Sequence, residues 1–242
     1  MFTILKKEIN SFLNSLIAYI IISVYLIITG LFVWVFPDYN VLDYGYADIT
    51  TLFSLSPYFF MFLIPAVTMR TFAEEKRAGT LELLFTRPLT DWNIILGKYF
   101  ACLLLILFAL LPTLLYYYSV YQIGNPIGNI DSAGVGGSYI GLILLAAVFT
   151  AIGVFASSIT DNQITAFIIA VFLCFILFLG FSSLAGADAW GSFSYFIQHL
   201  GIDFHYQTLS KGLIDSSDVL YFLSIIALML LATKLKLESR KW

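Results

Sequence analysis

Residues 163–184 read QITAFIIAVFLCFILFLGFSSL, a run of 22 residues without a charged side chain. A helix of about 20 apolar residues crosses the hydrocarbon core of a bilayer, so this run is long enough to span a membrane. Five further stretches are comparably apolar, and they lie at 16–36, 51–69, 95–121, 139–158 and 219–235. The sequence therefore predicts an all-α integral membrane protein with six transmembrane helices.

The composition of the whole chain indicates that lipid is its main solvent. Hydrophobic residues make up 60% of the 242 residues and charged residues only 11%, whereas a soluble domain carries about 25% charged residues. The net charge of −3 argues against nucleic acid as a partner, because phosphate contacts require a basic surface. We expect a single domain over residues 1–242 that is surrounded by membrane lipid.

The lysines and arginines are distributed unequally between the two sides of the predicted bundle. Six spans place both termini on one side, and this side receives eleven of the 12 basic residues, namely Lys6, Lys7, Arg70, Lys76, Arg77, Arg87, Lys98, Lys234, Lys236, Arg240 and Lys241. The other side receives only Lys211. Because cytoplasmic segments of membrane proteins carry an excess of lysine and arginine, both termini are predicted to be cytoplasmic.

Two segments outside the spans are amphipathic. Before the first span, one helical face carries the apolar residues Phe2, Leu5, Ile9, Phe12 and Leu13. The charged residues, Glu8 among them, fall mostly off this face, so we expect an interfacial helix along the cytoplasmic surface. Residues 185–217 form an external segment between the last two spans, and its aromatic residues suit a half-buried interfacial position: Trp190, Phe193, Tyr195 and Phe196.

The histidines are the first residues to consider for catalysis or metal binding. His199 and His205 lie in the external segment with Asp203 between them, at a spacing that fits no zinc motif, and we expect them to be solvated. The sequence contains no G-x-x-x-x-G-K-[ST] phosphate-binding loop. We therefore predict that the chain is not an enzyme and has no catalytic residue, metal or cofactor of its own.

The connection between the second and third spans is the most informative part of the chain. Residues 70–94, which we call the 70–94 loop, read RTFAEEKRAGTLELLFTRPLTDWNI. A charged stretch is followed by a glycine break and by a short piece with Leu81, Leu84 and Phe85 on one side, before Thr90 or Asp91 caps the third span. Loops of this length usually carry function, and the leucines offer apolar surface to a partner.

The 70–94 loop resembles the first cytoplasmic loop of the ABC-2 type permease family. The family pattern E-x-x-x-G-T-L-E-x-L-x-x-x-P, followed by an aspartate and I-x-x-G-K, is matched by Glu75, Gly79, Thr80, Leu81, Glu82, Leu84, Pro88, Asp91, Gly97 and Lys98. The stretch between spans 4 and 5 resembles the corresponding turn of the family, through Ser157, Asp161, Asn162 and Gln163. The order of the elements along the whole chain is also similar.

The resemblance implies the permease subunit of an ABC transporter in a bacterial inner membrane. Such a subunit pairs with a second permease, identical or different, and docks on cytoplasmic ATPase subunits that bind the ATP. In the family the helix after the second span couples the two parts, which assigns ATPase coupling to Glu75, Gly79, Thr80, Leu81, Glu82, Leu84 and Pro88. The residues of both motifs are most similar to those of permeases associated with gliding motility.

A membrane anchor or assembly subunit of an ATPase-driven machine, which moves no solute, is the alternative to a transporter. A polar path through the bundle would distinguish the two functions. The polar residues of the spans are scattered and equally suited to bonds between helices: Ser54, Ser56, Thr68, Thr113, Ser119 and Thr150. The sequence therefore leaves both interpretations open.

The charge distribution generates a test of topology. We expect the cysteine of Lys211→Cys to react with a membrane-impermeant maleimide added to intact cells. The cysteine of Lys76→Cys is expected to react only after the membrane is permeabilised. Labelling of position 211 exclusively from the cytoplasmic side would contradict the predicted orientation.

Overall fold

The computed structural model describes residues 1–43, 45–85, 90–186 and 193–239, with the side chains of 83–85 left out. Regular structure in these ranges is helical. The helices are α1 Phe2–Leu13, α2 Leu16–Trp34, α3 Thr50–Thr68, α4 Arg70–Arg77, α5 Thr80–Phe85, α6 Asp91–Leu110, α7 Leu114–Ile123, α8 Ser132–Ile159, α9 Gln163–Phe175, α10 Phe181–Ala185, α11 Ser194–His199, α12 Ile202–Leu209 and α13 Ser216–Glu238.

Six helical stretches in the described part of the chain are long and apolar enough to cross a membrane, which confirms the predicted fold class. They are Leu16–Trp34, Thr50–Arg77, Asp91–Ile123, Ser132–Ile159, Gln163–Ala185 and Ser216–Glu238. A 3₁₀ turn at Leu111–Thr113 joins α6 to α7, and a π-helical turn at Ile176–Gly180 joins α9 to α10. Below, the end of the bundle that carries both termini is called the termini side.

Proline explains one of the contacts that shape the bundle. Pro57 lies inside α3 and has no N–H to donate to the carbonyl of Phe53 four residues earlier. The hydroxyl of Tyr206, on α12, donates to this carbonyl at 2.7 Å. Tyr206 is only 3% exposed, so the external segment reaches into the bundle and replaces the hydrogen bond that the proline removes.

Helix α8 is the most buried of the six long stretches, and α3, α9 and α13 pack around it. Small residues permit this arrangement. A Cβ added at Gly153 would overlap Thr68 Oγ1, and one added at Gly141 would lie 2.6 Å from the Cβ of Leu209. Helices in lipid associate through such close packing rather than through a hydrophobic driving force.

The two faces of helix α1 have different surroundings. Phe2 and Leu13 are 75% and 49% exposed, as expected of an interfacial helix. The opposite face packs on α6 and buries Ile4, Glu8 and Phe12. Glu8 lies off the exposed apolar face, as predicted, and has a partner on α6, whereas Phe12, which the sequence placed on the same face as Phe2 and Leu13, is buried inside the protein.

The external segment contains α11 and α12 in its described part. Phe193, Tyr195 and Phe196 are 63–70% exposed, in keeping with an interfacial position, and Trp190 lies outside the described residues. The expectation of solvated histidines is wrong for His205, which is only 8% exposed. Packing of α12 between α8 and α13 covers it.

Two adjacent glycines of α8 provide a matched test of the packing. A Cβ at Gly137 would overlap the backbone of Gly212, whereas one at Gly136 would meet nothing within 4 Å. We expect Gly137→Ala to destabilise the protein by about 1–3 kcal/mol, because the neighbouring backbone has to move. Gly136→Ala should be neutral or slightly stabilising, since alanine favours helix. Thermal unfolding in detergent measures both, and equal midpoints would contradict the close approach.

Candidate functional site

The candidate site lies on the termini side, where the 70–94 loop leaves the second long stretch. Helix α3 gives way to α4 at Met69, and the first N–H groups of a new helix lack partners within it. Ser157 of α8 supplies a partner. Its Oγ accepts hydrogen bonds from the N–H groups of Phe72 and Ala73 at 3.0 and 3.1 Å and donates to the Met69 carbonyl at 2.9 Å. This buried serine fixes the start of the loop.

The turn between α8 and α9 contains the other predicted residues of this group. Asn162 caps α9, since its Oδ1 accepts a main-chain hydrogen bond at 2.9 Å. Asp161 is exposed, and Gln163 is the half-buried first residue of α9. Lys76 of α4 donates to the carbonyl of Ser158, which ties the 70–94 loop to this turn.

A cluster of four charges, which we call the charge cluster, holds the loop against α1 and α6, and three of its side chains are largely buried while that of Lys7 is exposed. The Lys98 side chain of α6 is 1% exposed, and its ammonium group donates to Glu8 Oε1 at 3.0 Å and to the Thr71 carbonyl at 2.6 Å. Its Nζ also lies 2.9 Å from Glu75 Oε2, as an ion pair. Lys7 reaches Glu75 Oε1 from α1 at 2.8 Å. The charge cluster thereby joins α1, α4 and α6.

The two positive and two negative charges of the cluster balance. Taking an unpaired charge out of water costs on the order of several kcal/mol, whereas a paired and hydrogen-bonded charge is tolerated. Burial by itself would lower the pKa of Lys7, but its hydrogen bonds with Glu75 and Glu8 and their negative charges outweigh burial. The pKa of Lys7 is raised as a result, and its ammonium group stays charged at neutral pH.

Gly97 explains how α1 approaches Lys98. A Cβ added at Gly97 would lie 3.0 Å from the side chain of Ile4 and 3.2 Å from the Met1 carbonyl. Helix α1 therefore crosses α6 at the glycine, and Glu8, one turn beyond Ile4, meets the adjacent lysine. The glycine and lysine of the I-x-x-G-K pattern have distinct structural roles, since one makes room for α1 and the other binds it.

Two of the predicted coupling residues are turned into the protein. Glu75 belongs to the charge cluster. Leu81 is 3% exposed and packs in a cluster that includes Ile4, Phe72 and Ile94. The expectation that Leu81 offers apolar surface to a partner is therefore wrong. Residues of the chain's own bundle already cover this leucine, so that it attaches the loop to the bundle.

Gly79, Thr80 and Glu82, three more of the predicted coupling residues, lie at an exposed part of the loop. Gly79 has a φ of +65°, a conformation that glycine favours, and it separates α4 from α5. Residues 77–80 and Glu82 are exposed, and we call them the exposed turn. Leu84 lies in α5 with its side chain outside the described residues, and Pro88 lies outside the described residues altogether.

Sequence reasoning assigned no role at this site to Glu8 or Lys98. Glu8 is the single acidic residue of α1, which is a signal that could have drawn attention to it. Lys98 is a charged residue within an otherwise apolar run, and such residues are kept for pairing or function. Their separation by 90 positions prevents the sequence from showing that they are partners.

Comparison with known proteins gives one match. The family described as "ABC-2 family transporter protein" matches residues 35–233, which is 199 of the 242 residues. The matched range contains the 70–94 loop, the α8–α9 turn and the external segment. A comparison with curated proteins found no match.

The charge cluster generates a test of stability. Lys98→Met leaves Glu8 and Glu75 buried with only Lys7 as a counter-charge, and we expect a loss of about 3–5 kcal/mol, as is usual when one partner of a buried ion pair is removed. The matched control is Lys6→Met on the exposed side of α1, which should change the stability by less than about 0.5 kcal/mol.

The measurement is thermal or denaturant unfolding of the purified protein in detergent. Lys98→Met leaves one negative charge of the cluster uncompensated, and adding Glu8→Gln removes a carboxylate, so the double variant should recover part of the lost stability. Equal unfolding midpoints for Lys98→Met and Lys6→Met would show that the charge cluster does not stabilise the fold.

Proposed function

The chain belongs to the ABC-2 family of transporter proteins, and from this premise we propose that it is the permease subunit of an ABC transporter driven by separate ATPase subunits. In this proposal the ATPase docks on the exposed turn of the 70–94 loop, in the cytoplasm of a bacterium. The observation that carries it is the attachment of that turn. A short exposed element is held by the charge cluster, by Leu81 and by Ser157, so that it cannot move independently of the bundle.

The contacts of the loop support a transmission of force. The loop is joined to α6 and α1 through Lys98 and to α8 through Ser157. A displacement of the exposed turn by ATP-driven closure of the ATPase would therefore act on three helices together. Packed interfaces of this kind move as rigid bodies between discrete arrangements, as alternating access requires.

The interior of the bundle supports a partnership with a second permease. The six polar residues that could have marked a path are each hydrogen-bonded inside the protein: Ser54, Ser56, Thr68, Thr113, Ser119 and Thr150. Five of the six donate to a carbonyl of their own helical stretch, three or four residues away. A solute path is therefore better placed between two subunits than within one.

An apolar groove on the side of the bundle is the proposed place for that second subunit. It encloses about 410 Å³ between α2, α3 and α9 and is lined by residues that include Ile20, Phe62 and Phe167. Neighbouring residues of α2 and α9, such as Ile27 and Phe172, are 60% and 62% exposed.

The anchor function remains the second candidate because of the same hydrogen bonds. A subunit in which these six polar residues are hydrogen-bonded internally could hold a machine in the membrane without moving a solute. An adjacent ATPase and a second membrane subunit among the neighbouring reading frames would support the family assignment, but both functions require them. A large periplasmic domain on that second subunit would favour the role in gliding motility, which we propose from the motif resemblance alone.

The docking proposal is tested at Glu82. We expect Glu82→Lys to lower copurification with the ATPase and stimulation of ATP hydrolysis by about tenfold, which corresponds to about 1.4 kcal/mol. The effect should weaken as salt is raised, because exposed charges are screened. Asp43→Lys makes the same change of charge at an exposed residue on the opposite side of the bundle and should leave the association unchanged.

Comparison of Leu81→Ala with Glu82→Lys distinguishes an effect on folding from an effect on docking. Because Leu81 is buried in the chain's own bundle, this variant should lower the thermal stability of the isolated permease, by about 2–5 kcal/mol. Glu82→Lys should leave that stability within about 0.5 kcal/mol of the wild type. Wild-type ATPase association and hydrolysis with Glu82→Lys would reject the exposed turn as the docking surface.

A further inference from the structure

A histidine of the external segment is held between two oxygen atoms. His205 Nδ1 lies 2.7 Å from Asp218 Oδ1, at the start of α13, and Nε2 lies 2.9 Å from the main-chain carbonyl of His199, at the end of α11. The ring stacks on Tyr221, with centroids 3.9 Å apart and an angle of 24°. His205 is 8% exposed and Asp218 is 6% exposed, so water does not readily replace these contacts.

The two contacts fix the number of protons on the pair. A carbonyl oxygen only accepts hydrogen bonds, so Nε2 must carry a proton. The contact between Nδ1 and the carboxyl group needs a second proton, whether that proton resides on the ring or on Asp218. A neutral imidazole next to an ionised carboxylate holds only one proton. One of the two contacts then brings two acceptor atoms together without a proton between them and is repulsive.

We propose that His205, Asp218 and Tyr221 form a proton-dependent clamp that holds α11 against the start of α13. Tyr221 closes the same junction, since its hydroxyl donates to the carbonyl of Leu200 at 2.6 Å. Loss of the second proton removes one of the histidine contacts and leaves α11 attached by Tyr221. The external segment then opens at its α11 end as the pH rises.

The clamp differs from the other attachment of the external segment. Tyr206 donates to the carbonyl of Phe53 at 2.7 Å, and burial raises the pKa of Tyr206 far above its ordinary value. This hydroxyl therefore keeps its proton throughout the physiological range. Helix α12 stays docked while α11 responds, so the response to pH is confined to one end of the segment.

The other titratable groups around His205 are few in the described part of the chain. His199 faces it from α11, with ring centroids 5.8 Å apart, and Tyr195 packs on His199. On α12 itself lies Asp203, which accepts from Gln207 at 2.9 Å and Ser182 at 3.3 Å. On the α13 side lie Asp218, Tyr221 and the exposed cap residue Asp215.

Asp203 is a second titratable group near the clamp, and it could also make the stability of the external segment depend on pH. Burial raises its pKa, although Gln207 and Ser182 oppose the shift. A carboxyl group with a raised pKa favours the folded state when it is neutral, so rising pH weakens the segment only while Asp203 ionises. Because a carboxyl group titrates at more acidic pH than an imidazole in general, Asp203→Asn distinguishes the two sources.

The experiment is amide hydrogen exchange of the purified full chain in detergent between about pH 5 and 9, the range in which histidine titrates. Rates are corrected for the intrinsic pH dependence of exchange. We expect the protection of residues 194–201 to fall by up to tenfold per pH unit as the pair loses one proton, whereas residues 202–209 keep theirs. Protection of 194–201 that is independent of pH in the wild type would overturn the proposal.

Variants assign the response to the clamp. In His205→Gln the protection of 194–201 should be low at every pH, and in Asp218→Asn its pH dependence should shift or vanish. His199→Gln keeps the main-chain carbonyl and should retain the wild-type response. Loss of the response in Asp203→Asn or His199→Gln, with its retention in Asp218→Asn, would assign the proton elsewhere. The wild-type pH series decides the question even if a variant does not fold, and it does not depend on ATPase coupling.

Discussion

Buried polar groups of this bundle find their partners inside the protein, because the surrounding hydrocarbon offers none. The Phe53 carbonyl that Pro57 leaves without a helical partner accepts from Tyr206. The N–H groups at the start of α4 donate to Ser157, and the ammonium group of Lys98 is paired with two glutamates. Each of these contacts joins segments that are distant along the chain, so the requirement to satisfy polar groups also determines the tertiary structure.

On the termini side this requirement turns a connecting loop into part of the bundle. Glu75 and Leu81 face inward, and Gly97 and Gly153 let α1 and α3 approach their neighbours closely. Among the described residues of the loop, the exposed turn lies at the surface, together with Glu74 and Thr90. A partner that binds this turn therefore acts on several helices, which is the physical basis of the proposed coupling.

On the opposite side of the bundle, tyrosine and histidine side chains attach the external segment. Tyr206 uses a hydroxyl that stays protonated, whereas His205 needs a second proton to satisfy both of its partners. The charge cluster on the termini side consists of lysines and glutamates, whose ordinary pKa values lie far from neutrality. In the proposed clamp the number of bound protons therefore decides a contact of the external segment, whereas ion pairs hold the charge cluster.

The sequence by itself determined the features that depend on a run of neighbouring residues. The length of the apolar stretches predicted six helices, the predicted glycine break at Gly79 separates α4 from α5, and Thr90 caps α6 by accepting from the N–H of Asn93 at 3.3 Å. The family pattern likewise consists of closely spaced residues. These features were accessible because helix length, caps and breaks are set by local sterics and hydrogen bonding.

Only the tertiary structure decided which residues are buried by neighbouring helices. Phe12 was expected on the same face of α1 as the exposed Phe2 and is buried, Leu81 was expected at a partner's surface and is enclosed, and His205 was expected in water and is held by Asp218. In each case the covering group comes from another helix. Amphipathic periodicity describes one helix in isolation, whereas burial depends on the neighbours that the whole fold brings into contact with it.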